Sequence, residues 1–259
     1  MTGRVEGAAL LEVRGLTKSF GAITAVRDVD LVVGPGERVG LVGPNGAGKT
    51  TLFNCICGQT QADAGTVVFR GIDLGSKPTF ERARLGIGRT FQRVEVFPEL
   101  TVAEHLMVAE RARRGDGRLW KDLLGRSALS AQESARVEAM LVLVGLDGLA
   151  NVPVAALGLG TCRLVELARA LIGEPVLLLA DEPSSGLDAH ETAELASVLR
   201  RVSGEHEMAV LLVEHDLGLV ALVAERTVVM DVGGVIANGT FDAVMADQRV
   251  RHAYLGKSA

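Results

Sequence analysis

The sequence predicts an α/β fold with a parallel sheet covered on both faces, and three observations carry that prediction. First, Val176 to Ala180, Ala209 to Val213 and Arg226 to Met230 are short and mostly apolar, as strands buried on both faces are. Second, a helical face lies between the first two of these runs: Leu195, Val198, Leu199 and Val202 recur at i, i+3, i+4 and i+7 and stop at Gly204. Third, a strand-like run, Arg38 to Val42, leads straight into a glycine-rich turn and then a helix, the strand–loop–helix order of such sheets.

Taken in order, the first third reads as strands and turns. Leu10 to Val13, Val29 to Val33 and Thr66 to Phe69 are β-rich, and Gly34-Pro35-Gly36-Glu37 marks a turn. The middle changes character. Thr101-Val102-Ala103-Glu104 is a capping box that opens a helix rich in Glu and Arg. Val137, Met140, Leu141 and Val144 form a second helical face that stops at Gly145, and the polar stretch Arg111 to Arg126 reads as a loop between them. Residues 95–165 are therefore expected to form a helical subdomain, and 1–94 with 166–259 the core.

Composition narrows the function classes. At 259 residues the chain suits one large domain or two closely joined ones. Apolar residues are 48% and charged residues 23%, which argues against disorder. A net charge of −5 gives no support to a basic nucleic-acid-binding face, and no nucleic-acid partner is expected. Three cysteines, Cys55, Cys57 and Cys162, are too few for a disulfide scaffold. Cys55 and Cys57 are one residue apart rather than two, so buried thiols are expected rather than a redox or zinc motif. Mean hydropathy is +0.28. Yet the densest apolar runs fall far short of the roughly 18 to 20 residues that span a bilayer, and Met1 to Ala9 has no signal-peptide core.

The strongest motif is Gly43-Pro44-Asn45-Gly46-Ala47-Gly48-Lys49-Thr50-Thr51, which matches G-x-x-x-x-G-K-[ST] in full. Its glycines allow backbone N–H groups to turn around an anion, and the following helix aims its positive end at the same place. Lys49 is expected on the β- and γ-phosphates and the Thr50 hydroxyl on Mg²⁺. The bland reading is a glycine-rich turn that contains Lys-Thr by chance. Val176 to Ala180 ends in Asp181-Glu182-Pro183. Open α/β sheets bind ligands at the carboxyl ends of strands, so Asp181 is assigned to Mg²⁺ and Glu182 to an attacking water. A solvated acidic turn is the plain alternative. Gln92 could reach the metal or the water, and His215 the γ-phosphate. Taken alone, each also reads as a surface glutamine and as a histidine hydrogen-bonded at a strand end.

The order phosphate loop, glutamine, helical insert, Asp-Glu and histidine resembles the ABC-type ATPases over nearly the whole chain. The resemblance implies a P-loop NTPase core with a mixed/parallel sheet, an N-terminal antiparallel β subdomain and a helical subdomain. Phe20, in Lys18-Ser19-Phe20-Gly21, looks like the family's adenine-stacking residue, and Val26 is placed with it among the nucleotide contacts. Asn45, Gly46, Ala47, Gly48, Lys49, Thr50 and Thr51 would hold the phosphates. Ser185-Gly186-Leu187-Asp188 looks like the dimer-contact loop.

The family signature Leu-Ser-Gly-Gly-Gln is altered here to Leu157-Gly158-Leu159-Gly160-Thr161. Gly158, Gly160 and Thr161 remain candidate contacts to the nucleotide on an opposing subunit, without the serine hydroxyl.

Leu52-Phe53-Asn54, Gly88-Arg89-Thr90-Phe91-Gln92 and Ala253-Tyr254-Leu255-Gly256 are similar to the ATPase subunit of branched-chain amino-acid importers. That resemblance implies ATP and Mg²⁺, membrane permease subunits with Phe97, Pro98 and Leu100 as candidate contacts, and a solute-binding protein acting indirectly. It also implies a second ATPase subunit, unlike rather than identical, and a peripheral place on the cytoplasmic face of the membrane. The alternatives are a regulatory or weakly active half of an asymmetric dimer, a related cargo such as urea, amides or exported lipid, and a soluble non-transport ABC ATPase.

Overall fold

The computed structural model describes residues 9–90, 97, 99–114 and 130–255. Two sheets organise them. The smaller has four strands in the order β2-β1-β4-β5 (β1 Leu11–Phe20, β2 Ile23–Val33, β4 Ala64–Phe69, β5 Ile72–Asp73), all paired antiparallel. The larger has six in the order β10-β9-β3-β8-β7-β6 (β3 Arg38–Val42, β6 Ile87–Arg89, β7 Leu177–Asp181, β8 Ala209–Val213, β9 Arg226–Asp231, β10 Gly234–Gly239). It is parallel except at the β9–β10 edge.

The apolar strands are explained by what lies on each side of the sheet. Along β7 and β8, Leu178, Ala180, Val210 and Leu212 face a core formed with the helices. Leu177, Leu179, Ala209, Leu211 and Val213 face a second core shared with the antiparallel sheet and α1, Lys49–Cys57. Both sets exclude water, and each fully buried Leu or Val contributes roughly 1.5 to 3 kcal/mol.

The helical layer contains α3 (Val102–Arg114), α4 (Ala131–Val144), α5 (Leu159–Leu171), α6 (Ala189–Glu205), α7 (Leu217–Val223), α8 (Phe241–Ala246) and α9 (Gln248–Leu255). The Thr101–Glu104 capping box is formed: Thr101 N donates to Glu104 Oε2 (2.8 Å) and Glu104 N to Thr101 Oγ1 (3.3 Å). Gly145 ends α4 at φ +77, the left-handed cap that glycine takes without strain. The expected 95–165 subdomain would divide α5, which runs unbroken from 159 to 171.

Four local expectations change. Arg111 to Arg114 close α3 rather than open a loop. The face ending at Gly204 continues to Glu205. β1 and β2 extend well beyond the apolar runs that signalled them. A short helix, α2 (Thr79–Arg84), follows β5. Its Arg82 is buried and grips the far end of α1, with Nη1 donating to the carbonyls of Cys55 (2.8 Å) and Ile56 (2.7 Å) and Nη2 to Leu74 O (2.6 Å). The three cysteines are buried free thiols, and burial pushes Cys57 up to about 12.

Candidate active site

Strand register brings the predicted site residues to one edge of the larger sheet. Leu41 of β3 lies opposite Val213 of β8, and Asp181 of β7 lies on the other side of that same Val213. The loops after β3, β7 and β8, carrying Gly43 to Gly48, Glu182 and His215, therefore leave the sheet side by side, at the carboxyl ends where such sheets bind ligands.

The Gly43–Gly48 loop needs its glycines. Gly48 caps α1 at φ +99, and a Cβ there would stand 2.2 Å from Ala25 O. A Cβ on Gly43 (φ +150) would stand 2.1 Å from Met230 O. Strands β2 and β9 thus press the loop into shape with rigid backbone, and any side chain would displace it. Lys49 is buried, with Nζ donating to the carbonyls of Gly43 (2.6 Å) and Pro44 (3.2 Å). Its charge sits inside the loop, at the positive end of α1, where an enclosed phosphate would meet it. Asn45, Gly46 and Thr50 are exposed, and Ala47 is buried beneath them.

Across from the loop, Asp181 is almost fully buried. Arg89 Nη2 stands 3.3 Å from its Oδ2 and 3.3 Å from Asn54 Oδ1, while the guanidinium lies over the Phe53 ring at 4.7 Å. Burial pushes the Asp181 carboxyl above the usual range, against the opposing pull of Arg89 and Lys49. Its Oδ1 is buried with no hydrogen-bond partner among the described residues. An orphaned carboxylate oxygen at the end of β7, separated by one strand from β3, whose loop leads to the exposed Thr50, suits a hard cation. No cluster of three acidic, His or Cys ligands exists among the described residues. Mg²⁺, which takes one or two protein oxygens and completes its shell from phosphates and water, fits that sparse donor set.

Glu182 has φ +47, a conformation that is strained for a side-chain-bearing residue and that clusters at functional sites. Its N–H donates to Val213 O (2.8 Å), which holds the turn in place. Its Oε1 lies 3.8 Å from His215 Nδ1, and the His215 side chain is about half exposed. The acid and the histidine face the open edge together. Gln92 and Pro98 fall outside the described residues.

The remaining predicted contacts are spread over two surfaces. Phe20 is exposed at the end of the β1–β2 hairpin, 53% accessible, with the Lys18 ammonium 5.3 Å from its ring centroid. Val26 is fully buried in the core shared with α1. Gly158 caps α5 in an extended conformation, and no atom lies within 4 Å of where its Cβ would be. Gly160 N donates to Glu191 Oε1 (3.2 Å), and a Cβ on Gly186 would meet Leu159 at 2.9 Å. The Ser185–Asp188 loop therefore packs on the start of α5, and Asp188 caps α6 through Glu191 N (2.8 Å). Phe97 is exposed and stacks on the buried His105, ring centroids 5.9 Å apart.

Sequence reasoning passed over Arg89, Ser184 and Glu214. Their contacts join segments 30 to 92 residues apart, which no local pattern announces.

The chain matches the ABC transporter family over residues 26–185. It is 39% identical to the high-affinity branched-chain amino acid transport ATP-binding protein LivG of Escherichia coli K12, over 96% of this chain and 98% of that protein. It is 37% identical to the corresponding protein BraF of Pseudomonas aeruginosa, over the same shares. Among solved structures it is similar to an ATP-binding cassette of an ABC transporter in its ADP conformation. The TM-score there is 0.87 at 29% identity, covering 96% of this chain and 100% of that one.

Proposed function

The chain belongs to the ABC transporter family as an ATP-binding subunit that hydrolyses ATP, and from that premise we propose that it powers the import of branched-chain amino acids. The observation that carries the catalytic reading is the placement of the Gly43–Thr50 loop directly across one strand edge from Asp181 and Glu182. The cargo reading rests on similarity to LivG and BraF along almost the entire chain.

The loop amides and Lys49 bind the β- and γ-phosphates, and Phe20 stacks on the adenine. Thr50 and Asp181, with Gln92, would hold Mg²⁺, which would supply neutralisation of phosphate charge. Glu182 takes a proton from a water whose oxygen attacks the γ-phosphorus; the bond to the bridging oxygen breaks and ADP leaves with the electron pair. His215, beside Glu182, steadies the γ-phosphate.

The chain works in an asymmetric head-to-tail dimer with an unlike ATPase. Its own phosphate loop faces the partner's signature, and its altered segment faces the partner's phosphates. That segment lacks the serine hydroxyl, and its Gly160 amide already donates to Glu191. A hydrogen bond to a charged group is worth roughly 1.5 to 3 kcal/mol, so the site using this segment runs about ten- to a hundredfold slower. Phe97 and Leu100 lie on the surface offered to membrane permeases, which hold the subunit at the cytoplasmic face. Among the described residues no helix is long and apolar enough to cross a membrane.

Membrane co-purification followed by single-turnover hydrolysis tests both parts. Permeases and a second, different ATPase should co-purify, and leucine uptake by cells should stop in Lys49→Ala. Brisk hydrolysis by the chain alone, abolished by Glu182→Gln, would refute the need for an unlike partner. Unchanged leucine uptake would refute the cargo.

A further inference from the structure

Glu214, the residue after β8, is fully buried, and among the described residues no lysine or arginine pairs with it. A carboxylate so placed is costly unless its oxygens are fully used. Here they are divided between two loops. Oε1 accepts from Ser184 N (2.9 Å) and Ser184 Oγ (2.7 Å). Oε2 accepts from His215 N (3.2 Å) and Asp216 N (3.4 Å), and lies 3.9 Å from His215 Nδ1. Burial pushes the carboxyl above the usual range, against these donors and His215.

Ser184 is two residues beyond Glu182, in the turn that the strained Glu182 opens. One carboxylate therefore ties the loop bearing Glu182 to the loop bearing His215, from beneath the open edge where the two side chains meet at 3.8 Å. β7 and β8 fix the loops' starting points through the Asp181–Val213 pairing, but beyond the strand ends that ladder no longer constrains them. The Glu214 hydrogen bonds are cross-links in that unladdered stretch, just past the last rung of the ladder, Glu182 N to Val213 O.

We propose that Glu214 is a positioning residue for hydrolysis, holding Glu182 and His215 in register while touching neither nucleotide nor water itself. The proposal rests on the reading of Glu182 and His215 given above. Replacing Glu214 by Gln keeps the size and one acceptor for Ser184, but turns an NH₂ toward the amides of His215 and Asp216, so the clamp opens on the histidine side.

The test uses the complex co-purified from membranes and measures single-turnover hydrolysis and ATP affinity in parallel. In Glu214→Gln, hydrolysis should fall about ten- to a hundredfold, as expected for losing hydrogen bonds to a charged group, with ATP affinity within about twofold of wild type. In a His215→Ala background the same change should cost less than about threefold further, because residues acting as a unit are not additive. Ser184→Ala, which removes a single donor and leaves the buried charge otherwise held, should slow hydrolysis in the same direction by a few-fold. A parallel loss of affinity, or a full additional loss on top of His215→Ala, overturns the proposal. If Glu182→Gln is inactive while Glu214→Gln is at full speed, only the proposal falls. If Glu182→Gln is at full speed, the catalytic reading falls and takes the proposal with it.

Discussion

The phosphate loop and the start of α5 are both glycine-bearing turns that open a helix, yet they are built on opposite terms. At Gly43 and Gly48 the backbone of other strands comes within 2.2 Å of the missing Cβ, so only glycine fits. At Gly158 nothing lies within 4 Å and the backbone is ordinary extended chain, so glycine there is unconstrained by the fold. The first glycines are required by geometry; the second marks a hydroxyl that the chain does without. The two turns also differ in where their donors go. In the phosphate loop the donors answer the loop's own carbonyls, Ala47 N to Pro44 O (3.1 Å) and Lys49 Nζ to Gly43 O (2.6 Å), whereas Gly160 donates its N–H to Glu191 of a different helix.

The largest effect that could break this contrast is chemical. Glu182→Gln should lower hydrolysis by about 10² to 10⁴ while leaving ATP affinity intact, as removal of a general base does; single-turnover assays and ligand titration check both halves. Lys49→Ala should weaken ATP binding about a hundredfold, through two charge-assisted contacts worth roughly 1.5 to 3 kcal/mol each, partly offset by water. Calorimetric titration showing unaltered affinity would remove the loop from the binding site. Gly48→Ala should cost a few kcal/mol of stability or abolish nucleotide binding, read by thermal melting with and without ATP. Gly158→Ser should do the reverse: it fits without strain, adds at most a few tenths of a kcal/mol as an N-cap, and speeds the partner's site up to about tenfold. If Gly158→Ser melts well below wild type, the segment is constrained after all.

The smallest effect is on pH. Asp181 has a raised pKa from burial, so as pH falls it takes a proton before an ordinary carboxyl would, and loses the charge proposed to hold Mg²⁺. Activity should therefore decline on the acid side from a pH above the usual Asp range. Excess Mg²⁺ should move that decline to lower pH, because the cation binds only the ionised form. An acid limb indifferent to Mg²⁺ would place the titrating group elsewhere.

What the sequence makes legible follows the same division. β3 and β8 carry the predicted bounds, and β7 and β9 come within a residue, because an apolar run between polar ends leaves little choice of register. The phosphate loop and the Asp181-Glu182 pair are legible for a related reason: their chemistry is packed into consecutive residues. β6, β5 and β10 are not, being short or at sheet edges, where half-exposed residues blur the pattern. Nor is the support beneath the site. Arg89 reaches Asp181 across 92 positions and Ser184 reaches Glu214 across 30; such contacts come into being only when parallel strands align. Phe20, singled out by its resemblance to an adenine-stacking aromatic, is exposed as stacking requires, whereas Val26, fully buried, shows that a residue near a binding surface in sequence can belong to the interior.

Arg82 gives α1 a property of its own. The helix proposed to receive the triphosphate at its head has a guanidinium bolted to its tail, where with the Gly58 N–H it answers the carbonyl end of the dipole. The same cation also holds Leu74, so the tail of α1 and the chain leaving β5 are one piece of furniture. When an anion tugs on the front, the rear is already moored, and the pull is handed on to α2 instead of being absorbed as slack.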